Sequence, residues 1–189
     1  MKYLAPLVCS YLLVSTALAQ DYSSFTQTIA NLGGAKSPDE VNKLWNDLIE
    51  SVSIPVVYED SVAFLYRGEA NSVAWMGDFN GWGYNKSFNN KGKRIPQTDI
   101  WVLKSAFPKD ARLDYKIVVN DVNWILDPLN TDQQWSGVGG GSPNSELRMP
   151  EWKEDPLTFS AVPGSKHGKV ERDVLYNSAT LGYQVMYSV

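Results

Sequence analysis

Residues 112–128, RLDYKIVVNDVNWILDP, alternate and then reverse direction. Leu113, Tyr115, Ile117 and Val119 fall on one face of an extended chain, while Asp114, Lys116 and Val118 fall on the other, because successive strand side chains point to opposite sides. Asn120 and Asp121 follow, two residue types that tolerate positive φ, and they predict a hairpin that returns VNWIL beside the first strand. A period of two, carried by β-branched and aromatic residues and closed by turn residues, predicts an antiparallel sheet.

The same pattern recurs towards the N-terminus. SVAFLYRG (61–68), NSVAWMGD (71–78) and DIWVLKSAF (99–107) are short and are divided by Gly, Asn, Asp and Pro. The expected fold is an all-β antiparallel sandwich over residues 54–150. In WMGDFNGWG (75–83) the alternation divides the stretch: Trp75 belongs with the core, like Trp101, and Asp78 to Gly83 form a turn. Trp82 lies in that turn beyond the strand end, where an indole serves a ligand as readily as a core.

Within residues 20–53, SPDEVNKLWNDLIESV predicts one amphipathic helix over 38–52. Ser37 is the N-cap, Pro38 takes the first helical position, Glu40 completes a capping box, and Val41, Leu44, Trp45, Leu48 and Ile49 form one apolar stripe. Residues 21–36 are polar with scattered apolar positions and end in a loop, NLGGAKS. After Asn130 the periodicity is lost in a Gly-, Ser- and Pro-rich loop that runs to Trp152, a length rarely carried without a use. Residues 151–168 read as a linker, and KVERDVLYNS and LGYQVMYSV (169–189) as two further strands with an unpaired edge.

At the N-terminus Lys2 precedes an apolar run, Tyr3 to Val14, and the small-residue triplet Ala17-Leu18-Ala19 follows. This predicts a signal peptide over residues 1–19 and a secreted or periplasmic protein. The apolar run is shorter than the roughly 20 residues that span a bilayer, so no membrane partner is expected. Cys9 is the only cysteine and lies inside that run, after Val8 rather than a small residue, which disfavours a lipid anchor. The mature chain is thus expected to have no disulfide, thiolate nucleophile or thiolate metal site. With 17 basic against 21 acidic residues the net charge is −4, which argues against nucleic acid as a partner.

Catalytic and cofactor patterns are sparse. The chain has no G-x-S-x-G elbow, no P-loop and no G-x-G-x-x-G between strand and helix, so neither catalytic residues nor a cofactor are expected. His167, the one histidine, sits in GSKHGK, a linker that offers no burial or orientation for a triad or a metal. Asp78, Asp114, Asp121 and Asp127 stand at turns and strand ends, where carboxylates are usually solvated or capping. What stands out is 7 Trp near amide and charged side chains. An indole offers a large rigid apolar face to a pyranose ring while neighbouring polar groups meet its hydroxyls.

VAWMGDFNGW (73–82) followed by DYKIVVNDVNWILDP (114–128) resembles the early-set, immunoglobulin-like modules related to the glycogen-binding domain and the N-terminal domain of isoamylase-type enzymes. The segments FLYRG, GDFNGW, TDIW, DARLDYK, WILDP and NSELRMP also occur in the order seen in the N-terminal module of exported enterochelin-esterase-like proteins. The resemblance implies an immunoglobulin-like sandwich preceding an α/β-hydrolase domain. It also implies that residues 169–189 are that domain's opening strands, with the catalytic residues beyond Val189 in a chain cut short. In the glycogen-binding relatives, matching positions line the sugar site, which implies Trp82, Lys116, Trp124 and Asn144 here. NDVN between Val119 and Trp124 is one residue longer than the relatives' turn, and this bears on how Trp124 faces.

The expectation is therefore a non-catalytic, substrate-positioning module of an exported carboxylic-ester hydrolase. Its partner would be the esterase catalytic domain, and its substrate a feruloylated glycan or a catechol siderophore ester. The alternatives are a free-standing carbohydrate-binding module that stacks glycans on Trp82 and Trp124, and a structural interaction domain that associates through its terminal strands.

Overall fold

Ser37 starts the fold's clearest helix. Its hydroxyl accepts the Glu40 N–H at 3.2 Å, and Glu40 in turn accepts the Lys36 N–H at 2.8 Å, so the end is capped from both directions. Helix α2 (Pro38–Ser51) follows and buries Val41, Trp45 and Leu48. The structure is a computed structural model that describes residues 22–134, 142–154, 169 and 171–188. The signal peptide, Cys9, residues 135–141 of the glycine-rich stretch, most of the linker and His167 lie outside the described residues; the rest of that stretch is not the loop expected to run to Trp152, since Gln133–Gln134 and Asn144–Arg148 are strands.

Residues 22–34 also form a helix, α1, where the sequence reads as polar chain ending in a loop. Phe25 is 1% exposed and Leu32 fully buried, with Tyr22 and Ile29 packed beside them. These positions are spaced by three and four, so they line one helical face. Serine and threonine between them, both weak helix formers, hide the stripe.

Eleven strands follow among the described residues: β1 (Val56–Tyr58), β2 (Ser61–Arg67), β3 (Val73–Gly77), β4 (Lys93–Arg94), β5 (Ile100–Ala106), β6 (Arg112–Val119), β7 (Asn123–Ile125), β8 (Gln133–Gln134), β9 (Asn144–Arg148), β10 (Val174–Ser178) and β11 (Tyr183–Tyr187). One sheet runs β1-β2-β5-β4. The second runs β3-β6-β9-β8, with β7 also on β6. Pairing is antiparallel throughout. The sequence-based expectation of an all-β antiparallel sandwich therefore holds.

Strand alternation sorts the side chains into layers. Val62, Phe64, Trp101 and Leu103 of the first sheet meet Val73, Trp75, Tyr115, Ile117, Val119 and Leu147 of the second, and these make the sandwich core. The opposite face of the first sheet, with Ala63, Leu65, Ile100 and Val102, is covered by Phe25, Leu32, Val41, Trp45 and Leu48 from the two helices. The second sheet has its inner face in this core, so its outer face is the one left for other work.

The chain divides into two compact units, Met1–Trp152 and Lys153–Val189. The described part of the second is the hairpin β10–β11, a separate two-stranded sheet. Leu175 pairs with Met186 on one face; Val174 with Tyr187 and Tyr176 with Val185 on the other. Apolar side chains thus stand on both faces, with the polar pair Asn177–Gln184 beside Leu175 and Met186 on the first, and Leu175, Tyr176, Tyr183 and Met186 are each more than half exposed.

Candidate functional site

The turn after β3 is built by its polar residues. Asn80 is fully buried; its Oδ1 accepts the N–H groups of Gly77 at 3.0 Å and Gly83 at 3.1 Å, and its Nδ2 donates to the Trp75 carbonyl at 2.8 Å. This clamp holds Gly81 and Trp82 in the left-handed region, at φ of 55° and 56°. Asp78 uses both oxygens: Oδ1 accepts Trp82 Nε1–H at 3.1 Å and Oδ2 accepts the Asp114 N–H at 2.8 Å. Phe79 turns inward, its ring centroid 6.0 Å from Phe64 and 5.2 Å from Phe107. The turn therefore puts a phenyl ring into the core and leaves an indole, fixed by its N–H, outside it.

Register places the other candidates. Met76 pairs with Lys116, and Val118 with Trp124, so the side chains of Met76, Lys116 and Trp124 share the outer face of the second sheet. Gln134 pairs with Asn144 at the sheet's far edge, and Asp114 with Glu146. Trp124 is 48% exposed, unlike the core rings Trp75 and Trp101 at 0% and 7%. The hairpin that presents it turns through positive φ at Asn120 and Asp121, as their side-chain chemistry predicts. Lys116 is half-buried and donates to Ser142 Oγ. The 78–83 turn leaves the sheet on this same side, since a Cβ on Gly83 would lie 3.0 Å from Met76 Sδ.

Trp82, Lys116 and Trp124 thus border one surface. From the level of Val118 to that of Asp114 is about 13 Å along the strand, longer than one sugar ring or one phenol. Asn144 behaves differently: it is 7% exposed, and its Nδ2 donates to Asp114 Oδ2 at 3.3 Å. It supports the surface through Asp114.

Asp114 departs from the solvated or capping carboxylate that its place at a strand end predicts. Its side chain is 16% exposed and its Oδ1 is buried without a hydrogen-bond partner, Arg112 Nη2 standing 3.5 Å away. Burial raises its pKa, opposed by the Asn144 hydrogen bond and the Arg112 charge, and Asp78 and Glu146 add to the rise. Arg112 gives its close contact to Glu146, which Arg148 also pairs.

Asp127 departs further from a solvated turn residue, being 2% exposed. Oδ2 accepts Tyr115 O–H at 2.8 Å, Oδ1 accepts the Leu129 N–H at 2.9 Å, and Asn130 Nδ2 donates to the Tyr115 oxygen at 3.0 Å. Burial raises the pKa of Asp127. Burial, followed by the Asp127 charge, pushes Tyr115 well up. This network ties the strand after Trp124 to the core, and the only sequence sign of it is Asp-Pro after an apolar strand.

A cleft of about 940 Å³ runs between residues 49–58 and the 128–132 segment with β9; none of Trp82, Lys116, Trp124 and Asn144 lines it. Among the described residues no group of acidic or histidine side chains is arranged to hold a metal, and no helix is long and apolar enough to cross a membrane.

No protein-family model matches the chain, and no curated protein does. Solved structures do. The ferric enterobactin esterase of Salmonella typhimurium matches with 18% identity and a TM-score of 0.52, over 66% of this chain and 39% of that one. The enterobactin esterase of Shigella flexneri, crystallised in the presence of enterobactin, matches with 17% identity and a TM-score of 0.48, over 66% and 38%. The chain thus spans about two fifths of the length of the structures it matches, and what it is similar to in them is the fold.

Proposed function

We propose that this chain is the early-set, non-catalytic module of an exported carboxylic-ester hydrolase, and that the outer face of its second sheet positions substrate for an α/β-hydrolase domain. The observation that carries the reading is the fold likeness to a 39% share of a ferric enterobactin esterase, a part of an ester hydrolase rather than the whole. The hairpin β10–β11 supports it. Its strands place exposed apolar side chains on both faces, as strands do in a sheet covered on both sides in α/β domains.

The test is the DNA that follows the Val189 codon. An open frame encoding G-x-S-x-G and a later histidine is the expected result; a stop codon with no neighbouring hydrolase gene overturns the reading. The chain alone should then leave nitrophenyl esters unhydrolysed, and turnover at an enzymatic rate would count equally against it.

A free-standing carbohydrate-binding module is the second reading. It is favoured by one observation, the exposure of Trp124 on the face that carries Lys116. Titration with soluble glucans and xylans distinguishes it, since a stacking site loses its response on Trp82→Ala or Trp124→Ala.

A further inference from the structure

We infer that Lys91 is a further binding residue of the outer face, and that with Lys116 it meets the acidic group of a ring lying on Trp124. This role rests on the reading of the outer face as a ligand surface. It adds the ligand's charge, and a residue outside the motif positions Trp82, Lys116, Trp124 and Asn144.

Backbone pairing fixes where Lys91 stands. Trp75 N–H donates to the Asn90 carbonyl at 2.9 Å and Gly92 N–H to the Val73 carbonyl at 2.8 Å, so Lys91 opposes Ala74 as a non-hydrogen-bonded antiparallel pair, the kind whose side chains lie closest. Directly opposed residues project to the same side of a sheet. Ala74 pairs in turn with Val118, and Val118 with Trp124. Lys91, Ala74, Val118 and Trp124 therefore form one row across the outer face, and neither Ala74 nor Val118 belongs to the core between the sheets. Gly92 lets the segment lie this close, because a Cβ there would stand 2.7 Å from Trp75 Cζ3.

The row is about 14 Å wide from Lys91 to Trp124, three strand spacings. Its two middle residues are buried and its two ends are exposed, so lysine and indole flank a low floor. Lys116 stands two residues along β6 from Val118, on the same face, paired with Met76. Two ammonium groups thus border a ring that rests on Trp124.

Their charge is not balanced locally. Asp114 and Glu146, further along the face, stand with Arg112 and Arg148, two charges of each sign. Asp78 gives both oxygens to the Trp82 indole and the Asp114 N–H. Asp121 lies in the exposed hairpin turn, beyond the Trp124 row. Lys116 donates to Ser142 Oγ and keeps two further N–H donors, and no ion pair or side-chain hydrogen bond among the described residues uses the Lys91 ammonium. A ring that bears an acidic group uses the whole arrangement, its face on the indole and its anion at the lysines. A neutral ring uses only the indole.

Isothermal titration of the full chain with hexagalacturonate and with ferulate, each beside its methyl ester, tests this. At least one acid should bind about fivefold or more tightly than its own ester, as two partly exposed charge contacts allow, and the sugar and phenol arms tell the two sources apart. The margin should close near 1 M salt, where screening acts beyond roughly 3 Å. Lys91→Glu should weaken the bound acid by about tenfold while leaving the ester's affinity and the unfolding midpoint unchanged, and Lys91→Arg should retain the acid. If acid and ester bind alike, or Lys91→Glu spares the acid, the role given to Lys91 is wrong while the ligand surface stands, and the lysine only guards a sheet edge. If no probe binds, or Trp124→Ala changes nothing, the surface itself is refuted and this role with it.

Discussion

Asp78 Oδ1 accepts the indole N–H of Trp82 at 3.1 Å, so the polar end of the one outward ring in the turn is used up inside the turn. The indole therefore offers a ligand its apolar face, with its N–H already spent. Asp78→Ala removes this bond and also leaves the Asp114 N–H without its acceptor. The expected cost is about 1–3 kcal/mol in urea unfolding, with faster hydrogen exchange at the Trp82 indole. Asp78→Asn retains one acceptor and should recover part of both. Unchanged exchange in Asp78→Ala would show that the bond does not hold the ring.

Gly77 and Asn80 make the turn possible in different ways. A Cβ at Gly77 would lie 2.3 Å from the Asp114 carbonyl oxygen, a backbone atom that cannot yield without parting β3 from β6. Gly77→Ala should cost more than about 3 kcal/mol or abolish folding. Asn80→Ala leaves two N–H groups and one carbonyl unsatisfied in the interior and should cost about as much. Gly81→Ala, at positive φ with open space around it, should cost only about 1 kcal/mol. A Gly81 variant as damaging as the Gly77 one would mean that strain rather than the close approach governs this turn.

The strands were legible because their period of two is enforced by burial on one face. Trp75 and Trp101 could be assigned to the core from their flanking residues alone. Trp124 was not legible in this way, since its exposure depends on a hairpin whose loop length sets the register, and on which edge of β6 it joins. Helix α1 was missed because Phe25, Ile29 and Leu32 are separated by polar residues of poor helix propensity, and only the sheet they cover makes them a stripe. Asp114, Asn130 and Asp127 were out of reach for a related reason: the groups that bury them come from β9, β6 and the Trp82 turn, distant in sequence.

The packing of α1 has its own test. Leu32 is fully buried against the outer face of the first sheet, so Leu32→Ala should cost about 2–5 kcal/mol, measured by urea denaturation followed through far-ultraviolet circular dichroism. A loss below about 0.5 kcal/mol would mean that the helix is an appendage.

The hairpin β10–β11 carries no charged residue from Val174 to Tyr187, and its exposed apolar side chains invite association. Leu175→Lys with Tyr183→Lys should lower the apparent mass in light scattering at high concentration and leave the unfolding midpoint of the sandwich unaltered. A shift of that midpoint would show that the hairpin is part of the sandwich's stability.

Asp127 gives the fold a pH dependence with a definite sign. Burial raises its pKa in the folded state above the ordinary aspartate value that it has when unfolded. A carboxyl of this kind contributes stability that is fully present below the unfolded pKa and lost as pH rises through the folded one. Above the folded pKa the fold therefore carries a buried charge, and lowering the pH relieves it. Asp114 shifts in the same direction, so the wild-type profile alone does not isolate Asp127. The difference in unfolding free energy between wild type and Asp127→Asn does, because the amide does not titrate. Wild type should gain on the variant as pH falls from neutral towards the ordinary aspartate range, and the gain should level off below it. A difference that stays flat with pH would show that Asp127 titrates normally and that the Tyr115 and Leu129 hydrogen bonds fully offset its burial.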